Sequence, residues 1–133
     1  MAFNTNKNIG NSSLGMAIAY FTNHNYTVSI PLNDTQDYDL IVEKNGIPSK
    51  IQVKGTSFKT KYDVFQVALK SSGGSKGKIY KTVIDTNIDY LFVVTKDLKM
   101  YLIPKNMLSN KYTLNLNNYF NKYLVELWQE KFL

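Results

Sequence analysis

Apolar and polar residues alternate along this chain with two different periods. Leu14, Ala17, Ile18 and Phe21 recur at helical spacing, and Asn11, Ser12 and Ser13 just before them can cap a helix N-terminus. Asn23 and Asn25 mark the end of that helix. From Tyr26 to Ile30 the chain reads as a strand, stopped by Pro31. The stretch Leu32 to Gln36 is turn-like. A second strand runs from about Tyr38 to Glu43, with Leu40 and Val42 on one side. Asn45-Gly46 is a strong hairpin signal. It leads into a third strand, Ser49 to Lys54, where Ile51 and Val53 alternate with Gln52 and Lys54. Further extended runs follow at Asp63 to Leu69, Tyr90 to Thr95 and Lys99 to Ile103, the last two joined by a turn at Asp97. Phe120, Tyr123, Leu124, Leu127 and Trp128 predict a terminal helix within 117–132. Between the strands, 71–78 (SSGGSKGK) reads as a mobile surface loop. The pattern predicts an α/β or α+β mixed sheet flanked by helices, in one domain spanning residues 1–133.

Composition narrows the class. The 133 residues contain no cysteine, so the chain has neither disulfides nor a thiolate metal site. No apolar run approaches the roughly 20 residues of a membrane span, and the polar start MAFNTNKNIGNSS lacks the apolar core of a signal peptide. We therefore expect a soluble, cytoplasmic protein with no membrane partner. The formal net charge is +6, and all sixteen basic residues are lysine. Positive surface favours phosphate-bearing partners by counterion release. Without arginine, bidentate arginine–guanine readout is unavailable, so base recognition falls to Lys, Asn, Gln, Ser or Thr.

Candidate chemistry concentrates in DYDLIVEKNGIPSKIQVKG, residues 37–55. Folding this hairpin about Asn45-Gly46 brings Asp39 opposite or nearly opposite Gln52 and Lys54. Gln52 and Lys54 share a strand face because they are two apart. A carboxylate can bind a hard cation through oxygen, an amide can add a carbonyl oxygen, and a lysine can stabilise developing negative charge. A one-residue slip of register would dissolve the set. Taken singly, Asp39 reads as a turn residue and Lys54 as a solvated face. Glu43 shares Asp39's strand face but lies roughly 13 Å further along by strand rise, too far for one ion. His24 reads as a helix-end residue rather than a general base. Gln36 and Asp37 read as turn formers.

The pattern Pro31-x(7)-Asp39 with Gln52-x-Lys54 resembles the PD-(D/E)xK nuclease superfamily, in the branch where glutamine takes the second acidic position. The longer run IGNSSLGMAIAYF, YTVSIPLNDTQDYDLIVE and KIQVK is similar to its group I intron-associated homing endonucleases and their small phage and bacterial relatives. The resemblance is good over about residues 9–56 and weaker to about Pro104. It implies a Mg²⁺-dependent endodeoxyribonuclease, with Mn²⁺ as an alternative ion. It implies Asp39 as metal-binding acid, Gln52 in the second motif position and Lys54 as catalytic lysine. The metal set would be Asp39, Gln52 and the backbone carbonyl of Val53. Two departures stand out. Leu14, beside Gly15, occupies the helix position where relatives often carry glutamate, and Gln52 supplies no charge. Asp34, Asp37 or Glu43 are the acids that could compensate.

Double-stranded DNA is the expected partner, gripped by Lys50, Lys59, Lys61, Lys70, Lys76, Lys78 and Lys81. Cutting both strands needs two sites, hence a homodimer or homotetramer, with the aromatic terminal helix as the interface. The alternatives are a catalytically inactive nucleic-acid-binding module, a junction-resolving nuclease and a protein-binding factor with incidental charge.

Overall fold

The computed structural model describes residues 6–33, 35–72, 80–109 and 112–128. Its one α-helix among these, α1 (Asn6–Asn23), starts earlier than the capping pattern suggests. Ser13 is therefore a mid-helix residue, fully buried, and not a cap. Ser13, Ala17, Tyr20 and Phe21 form the buried stripe. The helix ends because Asn25 adopts a left-handed φ of 68°, which lets Tyr26 N donate back to the Phe21 carbonyl at 3.0 Å.

The main sheet has six strands. In chain order they are β1 (Thr27–Ser29), β2 (Leu40–Lys44), β3 (Ile47–Thr56), β7 (Tyr90–Thr95), β8 (Met100–Pro104) and β10 (Leu124–Val125), and this is also their spatial order. Only the central pair, β3 and β7, runs parallel; the other neighbours are antiparallel. The β2–β3 turn has positive φ at both Asn45 and Gly46, 55° and 76°, as the Asn-Gly pair demands. Between β3 and β7 the chain forms β4 (Gln66–Ala68), β5 (Lys70–Ser72) and β6 (Tyr80–Thr82). β4 pairs with β9 (Thr113–Asn115), and β5 pairs with β6 as a hairpin. Ser71 and Ser72, read as loop from sequence, are thus strand residues. The glycine-rich remainder of that expected loop lies outside the described residues.

The two faces of the sheet carry separate cores. α1 packs on one face against Leu40, Val42, Ile51, Phe92 and Val94. On the other face Leu91, Val93, Tyr101 and Ile103 meet the small strands and the following turns. The expected terminal helix over 117–132 does not form in its described part. Asn118–Tyr123 is a 3-10 turn, and Leu124–Val125 continues as β10 against β8. Phe120 anchors the 3-10 turn in the second core, while extended pairing to Tyr101 and Met100 takes Leu124 and Val125 out of any helix. The expected helical interface is corrected accordingly. No helix among the described residues is long and apolar enough to cross a membrane.

Candidate active site

The β2–β3 register decides where the candidate residues meet. Leu40 lies opposite Ile51, and the Asp39 amide donates to the Ile51 carbonyl at 2.8 Å. Asp39 thus sits opposite Gln52, just before β2. In the parallel pair, Gln52 stands beside Leu91 and Lys54 beside Val93. Both side chains therefore emerge on the face away from α1, whereas Ile51 and Val53 pack toward α1.

Asp39 is half-buried and tied to β3 twice through one oxygen. Its Oδ2 accepts from Val53 N at 2.8 Å and from Gln52 Nε2 at 3.1 Å. Burial pushes the Asp39 carboxyl above its ordinary value, against the opposing pull of the Val53 N–H and the Lys54 charge. Burial also pushes the Lys54 ammonium below its ordinary value, and the Asp39 charge works the other way. The lysine Nζ donates to the Lys70 carbonyl at 3.3 Å. That contact has no signature in the sequence, because any residue at 70 would offer the same carbonyl.

The donor set suits a hard cation. Gln52 turns its Nε2 toward Asp39, so its Oε1 is the atom left for a metal. Asp39 Oδ1, Gln52 Oε1 and the Val53 carbonyl are all oxygen donors, the chemistry Mg²⁺ prefers, and Mg²⁺ commonly binds through one or two carboxylates plus waters and substrate phosphate. The set carries a single negative charge. No group of three His, Asp or Glu side chains that could hold a metal occurs among the described residues.

The other expected residues fall as follows. Leu14 packs against the α1-side core, and Gly15 is exposed. Glu43 pairs with Pro48 and Thr27 at the far end of the hairpin. Asp37 is half-buried and Gln36 exposed, while Asp34 lies outside the described residues. His24 stacks on Tyr20 at 4.2 Å, and its Nε2 meets the Glu126 carbonyl at 2.8 Å, which ties the C-terminal segment to the end of α1. Lys50 lies over the Tyr38 ring, Lys61 over Tyr62 and Lys70 over Tyr112. Lys59 lies over Phe65 and pairs with Asp63 at 3.1 Å. Lys81 is in β6, and Lys76 and Lys78 lie outside the described residues.

A search of curated protein sequences found no match. The solved structure of the bacterial homing endonuclease I-Ssp6803I is similar to this chain with a TM-score of 0.71 and 20% identity, covering 86% of this chain and 79% of that one. At that identity the likeness concerns the fold. A family model, described as PD-(D/E)XK endonuclease, matches residues 4–121, and so takes in α1, the central β2–β3 hairpin and the strands up to β9. A mixed sheet whose central hairpin brings Asp39, Gln52 and Lys54 to one face therefore has its place: the chain belongs to the PD-(D/E)XK endonuclease family.

Proposed function

We propose that this protein is a divalent-cation-dependent DNA endonuclease of the homing-endonuclease type, with Asp39, Gln52 and Lys54 as its working residues. One observation carries the reading. A carboxylate, an amide and a lysine converge from two hydrogen-bonded strands, and burial works against the charged form of both ionisable members. Perturbation of this kind marks groups held for a task rather than for solubility.

When bound, Mg²⁺ would polarise the phosphoryl oxygen and help generate the attacking hydroxide. The chain's own residues do the rest. Asp39 Oδ2 is fixed by the Val53 N–H and Gln52 Nε2, so Oδ1 is the carboxylate oxygen that would hold the cation. The Gln52 amide sets the tilt of that carboxylate and offers Oε1 beside it. Lys54, partly desolvated and able to swing from the Lys70 carbonyl, places its ammonium against the scissile phosphate and steadies the charge that develops there. One chain supplies one such site, so cutting both strands of duplex DNA takes two copies.

The test is cleavage of DNA, including sequence from the protein's genomic neighbourhood, with Mg²⁺, Mn²⁺ or EDTA. Wild type is compared with Asp39→Ala and Lys54→Ala. Metal-dependent cutting that both substitutions abolish is the expected result. A second reading, a DNA-binding module without turnover, draws on the site's single carboxylate. It prevails if wild type binds DNA, cuts none of these substrates under any metal, and both variants bind equally.

A further inference from the structure

The strand that carries Lys54 ends at Thr56 and leads into a tongue, residues 57–65, at the same end of the sheet. The tongue is well braced. Thr60 N donates to the Val64 carbonyl at 2.8 Å, Asp63 N to the Thr60 carbonyl at 3.0 Å, and Lys59 bridges to Phe65. β3 and β7 are parallel, with Thr56 beside Thr95, so the β7–β8 turn rises next to the tongue. A cleft opens between these two segments and the 3-10 turn Asn118–Tyr123. Phe65 and Tyr101 contribute to its apolar lining, and both belong to the core on the Lys54 face of the sheet. Gln52 and Thr56 are four residues apart, roughly 13 Å by strand rise. That is about four base steps along one DNA strand.

The cleft's charge distinguishes it from a phosphate grip. Its two lysines are each matched by an aspartate: Lys59 by Asp63 at 3.1 Å and Lys99 by Asp97 at 4.0 Å. The remaining exposed groups that face it include the amides of Asn118 and Asn121. Residues three apart eclipse on a 3-10 turn, so these two residues share one edge of it. Their neighbour Asn117 is spent on capping the turn, where its Oδ1 accepts from Tyr119 N at 3.1 Å. A charge-compensated cleft edged by two amides offers little to a phosphate and much to a neutral hydrogen-bonding partner.

We propose that this cleft reads DNA sequence, with Asn118 and Asn121 as specificity-determining residues that favour adenine. The inference rests on the nuclease reading above. A side-chain amide matches the N6 donor and N7 acceptor of adenine in bidentate fashion. Guanine's usual partner is absent, since the chain has no arginine, and the two lysines of the cleft are already paired.

The experiment is selection from a pool of duplexes randomised over about 20 base pairs (wide enough for the roughly four base steps estimated above), in Ca²⁺. It compares wild type with Asn118→Ala/Asn121→Ala and with Asn121→Asp. Wild type is expected to enrich adenine at one or two positions. The double variant should lose that preference by roughly 5- to 100-fold. Its affinity for unselected DNA and its salt slope should not change, because no phosphate contact is removed. Asn121→Asp, which can only accept, should move the preference toward cytosine N4. Both asparagines are exposed, and melting curves of the variants serve as the check on folding. If the double variant enriches the same sequences as wild type, or loses affinity for all duplexes alike with a shallower salt slope, the inference is overturned and the nuclease reading stands. Wild type that binds without any preference has the same meaning. Wild type that binds no duplex at all overturns both.

Discussion

The two faces of β3 solve opposite problems within one strand. On the α1 side, Ile51 is fully buried, and Gly55 lets the helix approach so closely that a β-carbon there would meet Ser13 Oγ and come within 2.6 Å of Ile9 Cγ2. On the other side, Gln52 and Lys54 stand in a half-buried setting whose polar groups are only partly compensated. The first face gains stability by excluding everything but apolar contact. The second gives up stability to hold charge out of water. Because residues alternate between the faces, the packed side fixes the position of the polar side to within a fraction of a side chain. Rigid support of this kind is what a site needs if its groups are to stay aligned.

The comparison breaks most visibly when the polar face is emptied. Asp39→Ala and Lys54→Ala should each reduce DNA cleavage at least about a hundredfold, while thermal melting shows a folded protein. Substitution on the packed face should do the reverse. Gly55→Ala forces a methyl against Ser13 and Ile9 and should cost about 2 kcal/mol by denaturant unfolding. Cleavage would fall only in proportion to the unfolded fraction or to a displaced Lys54. Full stability in Gly55→Ala would show that α1 is not seated as tightly as described.

Legibility in the sequence followed the same division. The hairpin was readable because Asn45-Gly46 admits one turn geometry and the alternation of Leu40, Val42, Ile51 and Val53 admits one register. The position of Asp39 opposite Gln52 then follows by counting. The start of α1 is not legible, because Ser12 and Ser13 look like caps, whereas tertiary packing against Gly55 makes Ser13 an interior residue. At the C-terminus, Phe120, Tyr123, Leu124 and Leu127 have helical spacing, yet the unpaired edge of β8 competes for Leu124 and Val125 and wins. The Lys54–Lys70 contact and the cleft between tongue and 3-10 turn depend on backbone carbonyls and on the meeting of distant segments, which spacing along the chain does not encode.

Ser13 offers a finer probe of the packed face. Its hydroxyl is buried with no hydrogen-bond partner among the described residues, and an unsatisfied buried polar group costs about 1 kcal/mol or more. Ser13→Ala should therefore raise stability by about 1 kcal/mol and leave cleavage unchanged. A loss of stability would mean that the hydroxyl has a partner, such as an internal water.

The smallest effect concerns the polar face and reads its strain directly. Burial raises the Asp39 carboxyl above its ordinary value, so the native state holds that proton more tightly than the unfolded chain does. Its contribution to stability is complete below the unfolded carboxylate's value, about 3.9, and is lost as pH rises through the raised value. Lys54 is shifted down by burial. Its contribution is complete above the unfolded lysine's value, about 10.4, and is lost as pH falls through the depressed one. At neutral pH both groups therefore detract from stability, beyond what their mutual attraction restores. Asp39→Asn/Lys54→Met removes both charges together, so neither is left buried alone. In EDTA at pH 7 the double variant should be more stable than wild type by about 1 kcal/mol. The gap should narrow as pH falls through the raised Asp39 value, and again as pH rises through the depressed Lys54 value. A double variant less stable than wild type at neutral pH would make the pair a structural tie, and the two faces of β3 would then differ in chemistry but not in strain.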